Sequence, residues 1–124
     1  MRRCRKRGGE LEELAIGGVG EQPATRLLCR RCATELAQPA ETITIDGAVD
    51  HTCSNPAGFT YAIRCYRAAH LITNDAPCEA HSWFTGYAWQ IGSCPGCGAH
   101  LGWRFRGPER PAFVGLIRAR VEER

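Results

Sequence analysis

The sequence predicts an all-β domain, and three observations carry that reading. From Pro23 onward the apolar runs are short and broken by Gly, Pro, Asn and Asp. No helical apolar period lasts longer than a few turns. Two widely separated Cys-x-x-Cys pairs would clamp the beginning of the chain to its later part. A chain of 124 residues supports one domain with a modest core, for which such a staple compensates.

Taken in order, residues 1–22 form a flexible basic segment and 23–124 the folded domain. The first segment holds Arg2, Arg3, Arg5, Lys6 and Arg7, a Leu11–Leu14 stretch long enough for one helical turn, and glycines 17, 18 and 20. Thr42-Ile43-Thr44-Ile45 alternates as a half-buried strand, Asp46-Gly47 marks a tight hairpin, and Ala48-Val49 resumes the strand. Asn55-Pro56-Ala57-Gly58 is a turn. Phe59 to about Leu71 reads as a long strand, with helix as the alternative for its alanine-rich end. Ser82–Ile91, His100–Phe105 and Phe113–Val121 read as further strands.

Charge and composition narrow the function. The five basic residues near the N-terminus exceed the whole formal charge of +3, so the remainder is slightly acidic. The segment can touch nucleic acid or membrane through unspecific electrostatics, but neither is expected as a specific partner. No apolar run approaches the ~20 residues of a membrane span, and no apolar stretch follows the basic residues as a secretion signal requires. With eight cysteines, four of them in paired knuckles and Cys4, Cys53, Cys65 and Cys78 scattered, a metal site in a reducing, cytoplasmic compartment is expected.

Cys29-Arg30-Arg31-Cys32 and Cys94-Pro95-Gly96-Cys97 lie about 60 residues apart. The two-residue spacer lets one knuckle offer both sulfurs to one ion, and four thiolates satisfy a tetrahedral Zn²⁺ with no open position. The zinc is therefore expected to be structural. A redox pair and two disulfides are the alternatives, and His100 is a possible replacement for one thiolate.

The stretch His81-Ser82-Trp83-Phe84-Thr85-Gly86-Tyr87-Ala88-Trp89 concentrates aromatic surface. Trp83 and Trp89 share parity, so a hairpin turn at Gly86 would bring both indoles to one face. Trp103 completes three walls, and Phe105, of the same parity, floors them. Such a cage suits a cation or a flat ring with polar edges. No acidic residue lies between His81 and Trp89 or on the Trp103 strand, which favours a neutral ligand. The alternative is that the indoles simply fill the core.

Asn55-Pro56, His81-Ser82-Trp83-Phe84 with Gly86-Tyr87-Ala88-Trp89, the second knuckle, His100-Leu101-Gly102-Trp103-Arg104-Phe105 and Gly115-Leu116 together resemble the CULT domain, the thalidomide-binding domain of cereblon. The resemblance covers roughly Arg26 to Arg118. It implies a β-tent, two antiparallel sheets meeting at a steep angle and pinned by a four-cysteine zinc. It also implies a small cyclic-imide ligand: a glutarimide, or a peptide C-terminus cyclised from Gln or Asn. Trp83, Trp89 and Trp103 are then the walls and Phe105 the base. The His81–Ser82–Trp83 stretch would pair with the imide edge: the His81 carbonyl accepts from the imide N–H, and the His81 side chain and Trp83 amide donate to the imide carbonyls. Asn55 and Pro56 sit at the rim, where Tyr61 stands in place of the family's histidine. The chain has no room for the Lon-like and adaptor-binding regions of full cereblon. A stand-alone domain of the bacterial type, without a ubiquitin-ligase adaptor segment, is therefore expected.

Cys97-Gly98-Ala99-His100-Leu101-Gly102 also resembles methionine-R-sulfoxide reductases, which share the tent and the zinc. That chemistry needs a late nucleophilic cysteine, yet none follows Cys97, and Trp103 replaces the usual histidine. Three readings result: a cyclic-imide binding module, which is not an enzyme; a reader of methylated cations or another small metabolite in the same cage; and a redox enzyme.

Overall fold

A computed structural model describes residues 25–124. The segment 1–22 expected to be flexible, and Cys4 within it, lie outside the described residues. Strands β1 (Leu27–Cys29), β2 (Glu35–Ala37), β3 (Asp50–Ser54), β4 (Thr60–Tyr66), β5 (Ala88–Ser93), β6 (His100–Arg106), β7 (Phe113–Ile117) and β8 (Val121–Glu123) account for the regular structure, with short 3₁₀ turns at Pro39–Glu41 and Arg118–Arg120. All named pairings are antiparallel. A three-stranded sheet has the order β2-β1-β8, and a five-stranded sheet the order β3-β4-β7-β6-β5. The all-β prediction holds.

β7 lies between β4 and β6 and is buried at every position, so its Phe-Val-Gly-Leu-Ile sequence is continuously apolar. Its two faces serve two cores. Phe113 and Ile117 join Ile63, Cys65, Phe84, Tyr87, Trp103 and Phe105. Val114 and Leu116 join Leu101, Tyr66 and, from the small sheet, Leu27, Leu36 and Val121. The large sheet thus packs one face on the small sheet and uses the other as an aromatic floor.

Several predicted strands are shorter than their apolar patterns. The Asp46-Gly47 turn forms, with φ of 50° and 87°, both positive as a type I′ turn requires. Ile45 and Ala48 exchange both backbone hydrogen bonds across it, at 2.9 and 3.1 Å. Thr42–Ile45, however, makes only isolated bridges, one of them Thr42 to Tyr66, because the chain after the turn pairs with β4 instead. That register is locked by Arg64, which donates to both carboxylate oxygens of Asp50 opposite it, at 2.7 and 3.0 Å.

β4 stops at Tyr66 because the following amides go elsewhere: Arg67 N–H donates to Glu41 O and His70 N–H to Leu36 O, both at 2.7 Å. No helix forms in the alanine-rich stretch. Of Ser82–Ile91, only the part from Ala88 is strand. Phe113–Val121 is also not one strand. The polar Arg118-Ala119-Arg120 turn interrupts it, and the chain crosses to the small sheet, where β8 pairs with β1.

Gly115 faces Trp103 across β6 and β7. A Cβ there would stand 2.9 Å from Ile63 Cδ1 and 3.3 Å from Phe105 Cε2, so the missing side chain lets those groups meet beneath the indole. Gly115→Ala is expected to lower stability by about 1–3 kcal/mol through overpacking, read as a lower urea midpoint. An unchanged midpoint would show that the floor yields freely.

Candidate functional site: an aromatic cavity beside a four-cysteine cluster

The cluster is built by two hairpin turns of matching design. In the first, between β1 and β2, Ala33 N–H donates to Cys29 O at 2.7 Å and Cys29 N–H to Thr34 O at 2.9 Å. In the second, between β5 and β6, Gly98 N–H donates to Cys94 O at 2.9 Å and Cys94 N–H to Ala99 O at 2.8 Å. Both turns need left-handed backbone just after the second cysteine: Ala33 has φ 66° and Gly98 φ 80°. The knuckles interlock closely, since a Cβ on Gly96 would lie 2.1 Å from Thr34 Oγ1 and 3.2 Å from Cys32 Sγ.

The four Sγ atoms of Cys29, Cys32, Cys94 and Cys97 lie within 4.8 Å of one another. Contacts between knuckles are 3.8 Å (Cys29–Cys97) and 3.5 Å (Cys32–Cys94). A tetrahedral site with metal–sulfur bonds of ~2.3 Å has edges of ~3.8 Å, so the cluster fits a thiophilic ion. It does not fit disulfides, which need ~2.05 Å. Second contacts support thiolates. Thr34 Oγ1 lies 3.0 Å from Cys32 Sγ and holds that thiol down to about 6. Gly96 N–H donates to Cys94 Sγ at 3.3 Å. Burial pushes the Cys29 thiol up to about 11, a tendency that a bound cation reverses. His100 is not part of the cluster.

On the other face of the large sheet a cavity of about 510 Å³ is lined by Asn55, Pro56, Ala57, Tyr61, His81, Trp83, Trp89, Ile91, His100, Trp103 and Phe105. Register explains the floor. Trp89 pairs with Phe105 and Ile91 with Trp103 across β5 and β6, so four side chains share one face. Trp103 is 7% exposed and Phe105 1%, which makes them both core and floor. Trp83 and Trp89 are only partly buried, so the alternative of simple core filling does not describe them.

Trp83 reaches the cavity by a route other than the one its parity suggested. It projects from an irregular loop, and its neighbours anchor that loop. Phe84 meets Phe105 at 4.9 Å and Phe113 at 5.1 Å, edge to face. Tyr87 meets Phe113 at 4.9 Å and donates its hydroxyl to Pro111 O at 3.2 Å. Successive residues thus part, Phe84 into the core and Trp83 over the cavity. There the Trp83 indole crosses Trp103 at 4.7 Å and 75°, a favoured edge-to-face geometry. The indole N–H groups of Trp83 and Trp89 are tied to Ser54 O and Ala80 O, both at 2.8 Å, so the two rings are fixed.

Two main-chain polar groups of the cavity-lining residues His81 and Trp83 are unspent. The His81 carbonyl and the Trp83 amide make no hydrogen bond within the described residues. His81 itself has φ 61°, a left-handed conformation that costs energy and is common at functional positions. Ser82 departs from the expected edge. Its hydroxyl donates to Phe84 O at 3.1 Å, and it faces a separate groove with Glu79 and Arg106. Asn55 and Pro56 do line the cavity, and Asn55 Oδ1 also accepts from Phe59 N–H at 2.9 Å.

His100, which the sequence offers only as an alternative to one thiolate, is instead a cavity wall. Strict alternation along β6 would send it away from Trp103. A register shift between Gly92 and Ser93 leaves Leu101 unpaired on β5, so His100 turns back and meets Trp103 at 4.8 Å and 87°. Tyr61, at 5.0 Å from Trp103, closes the same side. The length of the bulge has no signature in the sequence.

No family model matches the chain. Among curated proteins it is 34% identical over 103 residues to protein cereblon of Danio rerio, covering 77% of this chain and 24% of that protein. It is 33% identical over 102 residues to protein cereblon of Gallus gallus, covering 77% and 23%. With protein cereblon of Drosophila mojavensis it shares 35% identity over 117 residues, covering 87% and 17%. The chain spans at most about a quarter of the length of these relatives.

Ala33 offers a direct test of the knuckle geometry. A left-handed alanine costs about 1–2 kcal/mol, while glycine costs about 0.5–1 kcal/mol in unfolded-state entropy. Ala33→Gly is therefore expected to raise stability by up to about 1 kcal/mol, seen as a higher thermal midpoint. A lower midpoint would contradict the strained turn.

Proposed function

This chain is a homologue of the CULT-like domain of the cereblon proteins, and on that premise we propose that its 23–124 domain is a zinc-stapled binding module for a neutral cyclic imide. The observation that carries the reading is a cavity lined by Trp83, Trp89, Trp103 and His81, where the His81 carbonyl and the Trp83 amide have no hydrogen-bond partner among the described residues. An imide presents acceptor, donor and acceptor along one side. The His81 carbonyl takes its N–H, and the Trp83 amide and His81 imidazole donate to its carbonyls. The rings of Trp83, Trp89 and Trp103 cover its apolar faces above Phe105, while Asn55 and Pro56 meet whatever is attached to it. The natural ligand is then a glutarimide or a peptide C-terminus cyclised from Gln or Asn. Thalidomide-type molecules fit by the same edge.

A methylated cation is the weaker reading. No carboxylate lines the cavity, and the Arg120 guanidinium already stands 5.9 Å from the centre of the Tyr61 ring. Sulfoxide reduction is the weakest reading: burial pushes Cys53 up to about 11 and Cys65 up to about 12, away from the thiolate that chemistry needs. The cysteine-only donor set favours zinc as the structural ion, held by Cys29, Cys32, Cys94 and Cys97. Free thiols suit a reducing compartment such as the cytoplasm. Among the described residues, no helix is long and apolar enough to cross a membrane.

Titration of glutarimide against tryptophan fluorescence tests the cage. Trp89→Ala is expected to weaken binding at least about 30-fold. N-methyl glutarimide should bind about 5- to 150-fold less tightly, because the His81 carbonyl loses its donor. Equal affinity for both imides would overturn the edge pairing. Purified protein is expected to hold stoichiometric zinc. Chelation, or Cys94→Ser, should abolish cooperative unfolding near the native midpoint; an unshifted melt would remove the structural role.

A further inference from the structure

A second cavity, also of about 510 Å³, lies against the outer wall of the cage, with Arg30, Arg31 and Arg120 among its lining residues. The three arginines make no ion pair among the described residues, whereas Arg64, Arg118 and Arg124 each do. Two of them are oriented by main-chain carbonyls: Arg30 Nη2 donates to Val121 O at 3.0 Å and Arg120 Nη1 to His100 O at 2.8 Å. Glu122 is engaged by Arg124 at 2.8 Å, which with help from the Arg30 charge holds the Glu122 carboxyl below the usual range.

The two cavities share a wall. His100 lines both, and Arg120 reaches over Tyr61 of the cage. Asn55, Pro56, Tyr61 and His100 all line the cavity. A group attached to the caged ring that passes Asn55 and Pro56 on the Tyr61 and His100 side stands one side chain from the arginines. Guanidiniums held at fixed angles by carbonyls suit a carboxylate, to which they offer paired N–H donors.

We propose that this arginine cleft is a specificity subsite for a carboxylate on the residue preceding a cyclised C-terminus, so that the protein prefers peptides ending in an acidic residue followed by a cyclic imide. The inference rests on the cage reading and adds to it a selection for sequence. Arg120 and His100 set the direction of approach, and Arg31, exposed and without a hydrogen-bond partner among the described residues, is free to close on the carboxylate.

The test uses short synthetic peptides that end in a glutarimide ring and differ only in having Glu, Gln or Lys before it, with glutarimide itself as reference. The Glu peptide is expected to bind about five- to tenfold more tightly than the Gln peptide, a modest factor because the arginines are partly exposed. The Lys peptide should bind more weakly still. The advantage should shrink as salt is raised, and should vanish in Arg31→Gln combined with Arg120→Gln. Arg31→Gln alone should reduce it and leave glutarimide binding unchanged. If glutarimide binds while the three peptides bind equally, the subsite is overturned and the cage stands. If glutarimide itself does not bind, the cage reading falls and the subsite with it.

Discussion

Four sulfur atoms meeting within 4.8 Å are the constraint on which the rest of this molecule depends. They join the turn between β1 and β2 to the turn between β5 and β6, and so tie the small sheet to the end of the large one. β6 leaves the second knuckle directly. His100, Trp103 and Phe105 follow Cys97 at short, fixed intervals, and the position of the cluster therefore sets the position of the cavity floor. A core of this size gains much from a clamp that closes so long a loop.

The cavity divides its labour between rigid and unspent groups. Its rings are held by edge-to-face contacts with one another and by indole N–H groups bonded to main-chain carbonyls, so they contribute surface without needing to reorganise. The loop beside it, anchored by Phe84 and Tyr87 in the core, leaves the His81 carbonyl and the Trp83 amide without a partner among the described residues. Preorganised apolar walls with a few free polar groups are the usual make-up of a small-molecule site. The arginines beside the His100 and Tyr61 wall line a neighbouring cavity, while the aromatic cavity itself is lined by no arginine, lysine or carboxylate.

Much of the site was legible in the sequence because its chemistry is local. A Cys-x-x-Cys pair carries its own ligand geometry, and Asp46-Gly47 and Asn55–Gly58 turn where they stand because their residues tolerate or require the backbone angles. The aromatic residues that make the walls were recognisable by type and clustering. Strand ends were less legible. Thr42–Ile45 and the end of Phe113–Val121 have the right alternation, but which strand they join is decided by partners far along the chain.

By itself, then, the sequence determined the all-β character, the two cysteine pairs that cluster and the identity of the three indoles, since each follows from residue type and near-neighbour spacing. Only the tertiary structure decided that Trp83 arrives from a loop pinned by Phe84, that Ser82 turns away to Phe84, and that a bulge against β5 brings His100 into the wall. It alone set the arginines of two distant segments side by side next to that wall. The physical reason is that such placements come from long-range strand pairing and packing, where a one-residue shift in register reverses which face a side chain occupies.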